Sequence, residues 1–441
     1  MRTTVYTQVP RFLGLALVLF AGVVEPPAGA QPFAYITNLG SGTISVFDTR
    51  STSPTPVATV AVASEPASIA IGPGDERVYV VHFHDRFTVL DATARPPVVL
   101  GSISFGSDVE MGGVDVTPDG RRAYVAIWGR DQVAVVDVTV SPPVVLTTLA
   151  VGGNPDGVAV SPDGSRVYVA NADDGPFQPP STVSVIDSSV EPPRVIDSID
   201  VDNEPHGIAV SPDGQHVYVV CTDDFNGESL LVIDTHGDAN IVVDRLVIGQ
   251  RPYGLALSPD GRRAYVSRED DKVAIVDLTT HPISLQGYIK VATEPIGLAA
   301  TPDGRQLYVA QTFFNSVAVV DLTRDRPRVV RTLPTGDLPI AFGRFIGRGG
   351  NHPPVAGDDA ATTAKNLAVR IDVLANDLDA DGDVLRIAEL GTPGNGTVSQ
   401  RGRGNVTYRP KRGFVGEDHF TYTVSDSHGA TDTATVSVSV E

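Results

Sequence analysis

The fold is decided by the nine-residue stretch Ser161-Pro162-Asp163-Gly164-Ser165-Arg166-Val167-Tyr168-Val169. Its first four residues have the chemistry of a tight turn, because proline presets φ, Asp accepts local backbone hydrogen bonds and Gly tolerates positive φ. Its last three residues are apolar and favour a β-strand. The same turn recurs at 117–120, 211–214, 258–261 and 301–304, with a degenerate copy at 72–75. A turn and strand repeated at a regular interval indicate a repeat architecture.

Two positions mark seven copies of this unit. A tyrosine opens the apolar strand of each copy, at intervals of 43 to 50 residues, and an aspartate ends the strand that follows. The tyrosines are Tyr35, Tyr79, Tyr124, Tyr168, Tyr218, Tyr265 and Tyr308, and the aspartates are Asp48, Asp91, Asp137, Asp187, Asp234, Asp277 and Asp321. Each copy holds four short strands, of which the fourth is the most polar and suits an outer edge. Four strands per roughly 40–45 residues is the period of a β-propeller blade. The repeat pattern therefore predicts an all-β, seven-bladed propeller over residues 31–347.

One end of the repeat region lacks an inner strand, and the other end has an extra one. The first copy begins at Phe33 with no inner strand before it, whereas the last is followed by an apolar strand, 338–346, with no blade after it. We expect 338–346 to complete the N-terminal blade and to close the ring by sheet pairing. Cys221 is the only cysteine, so no disulfide within the chain can close it.

The strand motifs resemble a known family. Tyr35-Ile36-Thr37-Asn38, Tyr168-Val169-Ala170-Asn171 and the Pro-Asp-Gly turns are similar to the YVTN-type propeller repeats of bacterial and archaeal surface and periplasmic proteins. The resemblance covers about 33–347 and implies the propeller fold. It implies little about function, because the family includes surface-layer proteins, periplasmic binding proteins and enzymes.

The composition changes after a Gly-rich linker at 348–352. From 353 to 441, runs that alternate apolar and polar residues are separated by turn residues, which predicts a small β-sandwich. The phrases at 373–383 and 413–426 closely resemble the bacterial cadherin-like or immunoglobulin-like modules of large adhesins. That resemblance implies a role in adhesion, and some modules of this kind bind Ca²⁺ through acidic loops.

The first 30 residues are typical of a secretory signal peptide, with Arg2 and Arg11, an apolar run at 12–24 and the sequence Ala28-Gly29-Ala30. We expect cleavage after Ala30 and a mature protein that does not span the membrane and is secreted, periplasmic or at the cell surface. The alternative is an uncleaved anchor, but the run is shorter than the roughly 20 residues of a membrane span.

Charge and motifs exclude several classes of ligand. The formal charge of −20 makes nucleic acid an unfavourable partner. The chain has no C-x-x-C-H haem attachment and no nucleotide-binding fingerprint, so we expect no haem and no nucleotide.

Four aspartates lie close together in the C-terminal region, at Asp377, Asp379, Asp381 and Asp383. Carboxylates at alternate positions around a glycine turn suit Ca²⁺, although Ala388 stands where an EF-hand needs a bidentate Glu. The sequence therefore predicts a calcium site other than an EF-hand. The alternative is a solvated turn whose aspartates cap backbone amides.

A second group of carboxylates precedes the Pro-x-Gly step that opens the inner strands. Four of the seven residues at this position are glutamates: Glu65, Glu110, Glu204 and Glu294. If the ring closes, these residues form an acidic mouth at one end of the axis, which would attract a cation or a basic ligand. The alternative is that a strongly acidic protein has acidic loops everywhere.

The residue after each of these prolines is expected to point toward the axis. Asp156, His206 and Tyr253 occupy this position in consecutive repeats, and together with Arg251 they form a candidate acid–base set. The alternative is unconstrained drift between repeats. His82 and His84 resemble a pair of zinc ligands, but no third ligand is identifiable, which favours a surface or inter-blade role.

These observations favour an exported, non-enzymatic binding or scaffold protein that mediates adhesion or the binding of a protein or glycan partner at the cell surface. The alternative is a lactonase- or lyase-like propeller enzyme that uses the mouth of the channel. Adhesion through a calcium-stiffened C-terminal module is the third hypothesis.

Overall fold

A computed structural model of the chain describes residues 32–106, 109–172, 181–222, 228–236, 240–292, 294–347, 354–377, 385–402, 404–426 and 430–441. The predicted signal peptide lies outside these residues. Regular structure consists of β-strands and three 3₁₀ turns, at Pro73–Asp75, Trp128–Arg130 and Thr312–Phe314. No helix within the described ranges is long and apolar enough to cross a membrane.

Residues 33–346 form the seven blades of a β-propeller, and each blade is an antiparallel sheet of strands that are consecutive in the chain. The first blade contains β1 (Phe33–Asn38), β2 (Thr43–Asp48) and β3 (Ala58–Ala61). The next three blades contain β4 (Pro66–Ile71), β5 (Arg77–His82), β6 (Arg86–Asp91), β7 (Val98–Ser104), β8 (Met111–Val116), β9 (Arg122–Ile127), β10 (Gln132–Asp137), β11 (Val144–Ala150), β12 (Pro155–Val160), β13 (Arg166–Asn171), β14 (Thr182–Asp187) and β15 (Arg194–Asp200). The last three contain β16 (Pro205–Val210), β17 (His216–Cys221), β18 (Ser229–Asp234), β19 (Ile241–Val247), β20 (Pro252–Leu257), β21 (Arg263–Arg268), β22 (Lys272–Asp277), β23 (Ser284–Lys290), β24 (Pro295–Ala300), β25 (Gln306–Gln311), β26 (Ser316–Asp321) and β27 (Arg328–Pro334).

The segment 338–346 supplies the inner strand of the first blade. The Tyr35 amide donates to the Phe345 carbonyl at 2.8 Å, and the Ile340 amide donates to the Thr37 carbonyl at 3.0 Å. The segment also joins the next blade, because the Ile69 amide donates to the Phe342 carbonyl at 2.9 Å. The ring is therefore closed by sheet pairing between the two ends of the repeat region, as the sequence predicts.

The second and third strands of each blade form the core. Their β-branched and aromatic side chains are almost fully buried between neighbouring sheets, because both faces of these strands are covered. The outer strands are different. Val98, Val144 and Ile241 begin the outer strands of three blades and are each half exposed or more. The prediction of an exposed outer edge is therefore confirmed.

The antiparallel order places the connections of every blade on two opposite ends of the propeller. One end, the turn face, carries the Pro-Asp-Gly turns and the connections between third and fourth strands. The other, the loop face, carries the loops between second and third strands and those that lead from one blade to the next. The loops of the loop face are 39–42, 62–65, 83–85, 105–110, 128–131, 151–154, 172–181, 201–204, 222–228, 248–251, 269–271, 291–294, 312–315 and 335–338.

The remaining strands form two facing sheets of an immunoglobulin-like sandwich. Their bounds are β28 (Asp359–Thr363), β29 (Val369–Asp372), β30 (Arg386–Leu390), β31 (Gly396–Arg401), β32 (Asn405–Pro410), β33 (Gly416–Ser425) and β34 (Thr431–Val440). One sheet has the order β28-β34-β33-β30 and the other β29-β32-β31. Tyr408, Tyr422 and Val436 are fully buried between the sheets, together with the other alternating apolar residues. The predicted β-sandwich is confirmed.

Candidate functional site

The Pro-x-Gly step of the inner strands is a bulge that faces the propeller axis. In β12, β16, β20 and β24 the register with the second strand shifts between the proline and the residue three positions later. A bulge leaves its extra residue outside the ladder and redirects its side chain. The residue after the proline is thereby placed at the axis, where the inner strands of all blades converge.

The glycine of each step lets neighbouring inner strands approach closely. A Cβ atom on Gly157, Gly254 or Gly297 would lie 2.1 Å from a carbonyl oxygen of the next blade. These glycines, Ser68 and Phe342 line a small axial cavity of about 30 Å³. The inner strands therefore leave little space on the axis at this depth.

Three of the four candidate acid–base residues meet, each next to a glycine that lines this cavity. His206 Nδ1 lies 2.7 Å from Asp156 Oδ2, and the Tyr253 hydroxyl donates to the same oxygen at 3.3 Å. The His206 and Tyr253 rings stack with their centroids 4.4 Å apart. The cluster is largely buried, with 11 % of the Asp156 side chain and 15 % of the His206 side chain exposed.

The contacts of the cluster fix its protonation pattern. Asp156 accepts from Nδ1, so neutral His206 carries its proton there and leaves Nε2 as the basic nitrogen. The pKa of Tyr253 is well above its ordinary value, because burial disfavours the phenolate and the Asp156 carboxylate adds repulsion and accepts its proton. Tyr253 is therefore a hydrogen-bond donor at neutral pH.

The fourth candidate residue is elsewhere. The Arg251 guanidinium pairs with Glu269 at 3.4 Å, and its side chain is more than half exposed. Phe342, which the sequence did not single out, instead joins the cluster, with its ring centroid 5.5 Å from that of Tyr253. It comes from the closing segment 338–346, so the cluster joins three consecutive blades to that segment and could not be recognised from one repeat.

The predicted acidic mouth lies on the loop face. Glu65, Glu204 and Glu294 have φ values of 50° to 55°, and the values are similar at Asn154 (49°) and Leu338 (52°) in other blades. This left-handed conformation turns the chain into the inner strand. The Glu65 and Glu204 carbonyls accept backbone hydrogen bonds from the neighbouring loop. The backbone position is thus structural, whereas the glutamates stay partly exposed, and Glu110 is exposed.

The two ends of the propeller differ strongly in charge. Between the strand ends, the described loops of the loop face have two arginines, Arg130 and Arg251, against twelve acidic residues: Glu65, Asp85, Glu110, Asp131, Asp202, Glu204, Glu228, Glu269, Asp270, Asp271, Glu294 and Asp337. The described turns of the turn face have nine acidic residues against seven arginines. The difference in net charge between the two ends therefore comes mainly from the arginines, since acidic residues are common on both.

His82 and His84 do not form a metal site together. His82 is fully buried, and its ring nitrogens contact the Ser64 carbonyl at 2.8 Å and Thr88 Oγ1 at 2.9 Å. Burial lowers the pKa of His82. His84 lies in the next loop, 3.8 Å from Glu65. No group of three or more His, Cys, Asp or Glu side chains that could hold a metal ion occurs in the ranges that the structure describes.

The predicted calcium site falls partly outside the described residues. Asp379, Asp381 and Asp383 lie there, whereas Asp377 is buried in the sandwich. Its Oδ1 accepts hydrogen bonds from the Gly357 amide at 2.8 Å and the Tyr422 hydroxyl at 2.7 Å. Asp359, which the sequence did not single out, lies beside it and interacts electrostatically with it.

Comparison with known proteins supports both parts of this description. Residues 351–439 match the family model of a bacterial Ig domain. No curated protein matches the chain in sequence. Solved structures match the propeller, and all of those described below are less than 25 % identical to the chain, so they show the fold alone.

Hydrazine synthase of Kuenenia stuttgartiensis is 22 % identical with a TM-score of 0.59, and the match covers 66 % of this chain and 92 % of that one. The periplasmic gluconolactonase PpgL of Pseudomonas aeruginosa is 18 % identical with a TM-score of 0.59, and the match covers 71 % of this chain and 98 % of that one. A functionally unknown protein of Desulfotomaculum acetoxidans is 15 % identical with a TM-score of 0.58, and the match covers 70 % of this chain and 99 % of that one. The chain thus combines a β-propeller with a bacterial Ig domain.

Proposed function

We propose that this protein is an exported binding protein that takes a basic protein partner on the loop face of its propeller. The observation that carries the proposal is the charge difference between the two ends, with twelve acidic residues against two arginines on the described loop face. A surface of one sign attracts a partner of the opposite sign and accelerates its association. The signal-peptide pattern and the bacterial Ig domain agree with a role at the cell surface or in the periplasm.

The narrow axis supports binding on the surface of the loop face. The axial cavity holds about 30 Å³, so a partner would contact the rim formed by Glu65, Glu110, Glu204 and Glu294 rather than enter the channel. Acidic side chains on loops held by rigid blades provide such a rim with little change in backbone structure.

Binding of an oligolysine peptide tests the proposal. The probe should bind the wild-type protein with an affinity that falls steeply with salt. Replacing Glu65, Glu110, Glu204 and Glu294 by Gln should weaken binding at low salt by roughly tenfold or more, because four charges are removed from the rim. The matched control removes four charges from the turn face, by amide substitutions at Glu76, Asp119, Glu191 and Asp325. This variant should change the affinity for the peptide by less than about twofold. Equal losses in both variants would contradict the proposal.

The second candidate is acid–base catalysis, and the contact of His206 Nδ1 with Asp156 at 2.7 Å favours it. Asp156 orients the imidazole so that Nε2 can take a proton from water as the water attacks an ester carbonyl. The resulting imidazolium can return that proton to the leaving alkoxide when the carbon–oxygen bond breaks. Lactone hydrolysis is such a reaction, and a structurally similar propeller is a gluconolactonase.

Hydrolysis of gluconolactone by wild-type and His206→Gln protein tests this candidate. Loss of a general base should reduce turnover by roughly 100-fold or more. The Arg251→Gln variant is a control, because Arg251 pairs with Glu269 away from the cluster. Wild-type turnover at the rate of the spontaneous reaction would refute the catalytic role without affecting the binding proposal.

A further inference from the structure

The strongest unexplained feature outside the propeller is a pair of buried carboxylates in the sandwich. Asp359 is the first residue of β28, and Asp377 follows β29 in the other sheet. The Oδ2 atoms of both are buried and have no hydrogen-bond partner in the described part of the chain. Asp377 as a whole is 9 % exposed. A buried carboxylate oxygen without a partner is costly, so these two atoms need an explanation.

The side chain of Asp377 is held in place by its other oxygen. The Gly357 amide and the Tyr422 hydroxyl both donate to Oδ1, at 2.8 Å and 2.7 Å. This arrangement fixes the carboxylate and leaves Oδ2 as a free acceptor. The Tyr422 hydroxyl also interacts with Asp359, so the two carboxylates flank the same phenol.

The charged groups that act most strongly on Asp359 are all carboxylates. They belong to Asp377, Asp358 and Asp372. Buried carboxylates are normally paired with a cationic side chain or bound to a metal ion.

We propose that Asp359 and Asp377 together bind one hard divalent cation, with their two Oδ2 atoms as ligands. The donors are carboxylate oxygens without thiolate or imidazole, a set that suits Ca²⁺ or Mg²⁺ rather than a transition metal. Because Asp359 lies in one sheet and Asp377 follows a strand of the other, the cation links the two sheets of the sandwich. The site differs from one made by the acidic loop alone, since it requires Asp359, and it is independent of any ligand on the propeller.

Calorimetric titration of the full-length, chelator-treated protein with CaCl2 and MgCl2 tests this inference. We expect one equivalent of at least one of these cations to bind. In hydrogen–deuterium exchange, the bound cation should slow exchange in β33, which carries Tyr422. At 100 times the Kd, the melting temperature of the sandwich should rise by roughly 10 °C or more.

Isosteric variants identify the ligands. Asp359→Asn and Asp377→Asn should each weaken cation binding at least tenfold. Asp418→Asn is the matched control, because Asp418 is also buried and accepts from a tyrosine, Tyr408, but both of its oxygens have partners. It should lower stability without changing the affinity for the cation.

Three results would overturn the inference. The first is a wild-type protein that binds neither cation. The second is binding that Asp359→Asn leaves unchanged, which would place the ion on residues 379–383 alone. The third is an equal loss of affinity in the Asp418→Asn control. If Asp377→Asn does not fold, the cation affinity of Asp359→Asn alone tests the inference. That variant keeps both hydrogen bonds to Asp377 Oδ1.

Discussion

At the residue scale, the inner strands are governed by the need for very close backbone approach. Gly157, Gly254 and Gly297 occupy positions where the backbone of the next blade leaves no room for a side chain. The residue before each glycine is free of this constraint and varies between blades. Functional side chains can therefore stand near the axis at these variable positions, three of which are Asp156, His206 and Tyr253.

Gly254→Ala should destabilise the propeller by roughly 3 kcal/mol or more, because its Cβ would lie 2.1 Å from the Ile296 carbonyl oxygen and the backbone would have to move. Denaturant unfolding measures the loss. Gly129→Ala is the control, since the nearest atom to its Cβ is at 3.9 Å, and it should change stability by less than about 0.5 kcal/mol. Similar losses in the two variants would contradict the ring of close contacts.

Asp156→Asn should lower the pKa of Tyr253 from its strongly raised value, because the variant removes the negative charge beside the phenol. A pH titration of ¹³C-labelled tyrosine by NMR measures the shift, and Tyr253→Phe assigns the signal. Burial remains the larger cause, so the pKa should stay above the ordinary value in the variant. An unchanged titration would mean that Asp156 and Tyr253 are not in contact in solution.

At the scale of the element, the repeated polar residues serve to fix strands and turns. In the Pro-Asp-Gly turns, Asp163 accepts from the Ser161 and Ser165 hydroxyls and from the Ser165 amide. At the ends of two second strands, Asn38 and Asn171 donate to hydroxyls on the third strand, and at the same position His82 contacts Thr88. His82 thus takes the place of these asparagines in its blade, which explains its burial without a metal.

The propeller should lose stability as the pH falls below about 4. Hydrogen bonds from the residue two positions later lower the pKa of strand-ending aspartates such as Asp277 and Asp321, and that of Asp321 falls to about 2. A folded-state pKa below the unfolded value of about 4 stabilises the fold above that pH, and the contribution is lost as the pH falls toward 2. Thermal melts of wild type and Asp277→Asn between pH 7 and pH 2 measure it.

The pH dependence should be shallower in Asp277→Asn, because one of the titrating groups is absent. Asp325→Asn is the control, since Asp325 is exposed and accepts no hydrogen bond from the described residues. A pH dependence as steep as that of wild type in Asp277→Asn would show that these aspartates do not contribute.

At the scale of the whole molecule, the closing segment joins the two ends of the seven-bladed ring. The segment 338–346 pairs with β1 on one side and bonds to β4 and β24 through Phe342 and Ile340. Phe345 is fully buried in a cluster with the first and last blades. A propeller whose ends are joined in this way should unfold as a ring rather than blade by blade.

Phe345→Ala should destabilise the propeller by roughly 3–5 kcal/mol, the usual cost of removing a buried phenylalanine. The fluorescence of Trp128, the sole tryptophan, reports unfolding of the third blade, which the substitution does not touch. A lower unfolding midpoint at Trp128 demonstrates coupling through the closure. Phe314→Ala is the control, because Phe314 is 59 % exposed, and it should leave the midpoint nearly unchanged. A Trp128 midpoint unaffected by Phe345→Ala would refute cooperative closure.

The number of blades, the exposed outer strands and the closing segment followed from the sequence, because the signals for them are local. Proline, aspartate and glycine set each turn, and alternating or continuous apolar runs mark each strand. The seven tyrosines and seven aspartates count the copies. The sequence also predicted that the residue after each proline lies near the axis, because every copy places that residue at the same point of its blade.

What each candidate residue contacts was decided by the tertiary structure. Asp156, His206 and Tyr253 come from three blades, and only the bulged inner strands and the closed ring bring them within hydrogen-bonding distance, while Arg251 turns to Glu269. The same holds for Asp359 and Asp377, which meet only when the two sheets of the sandwich pack. The sequence by itself determined the repeat and its count, because turns and strands are local. The contacts at the axis and in the sandwich required the folded chain, because they join residues that no local pattern connects.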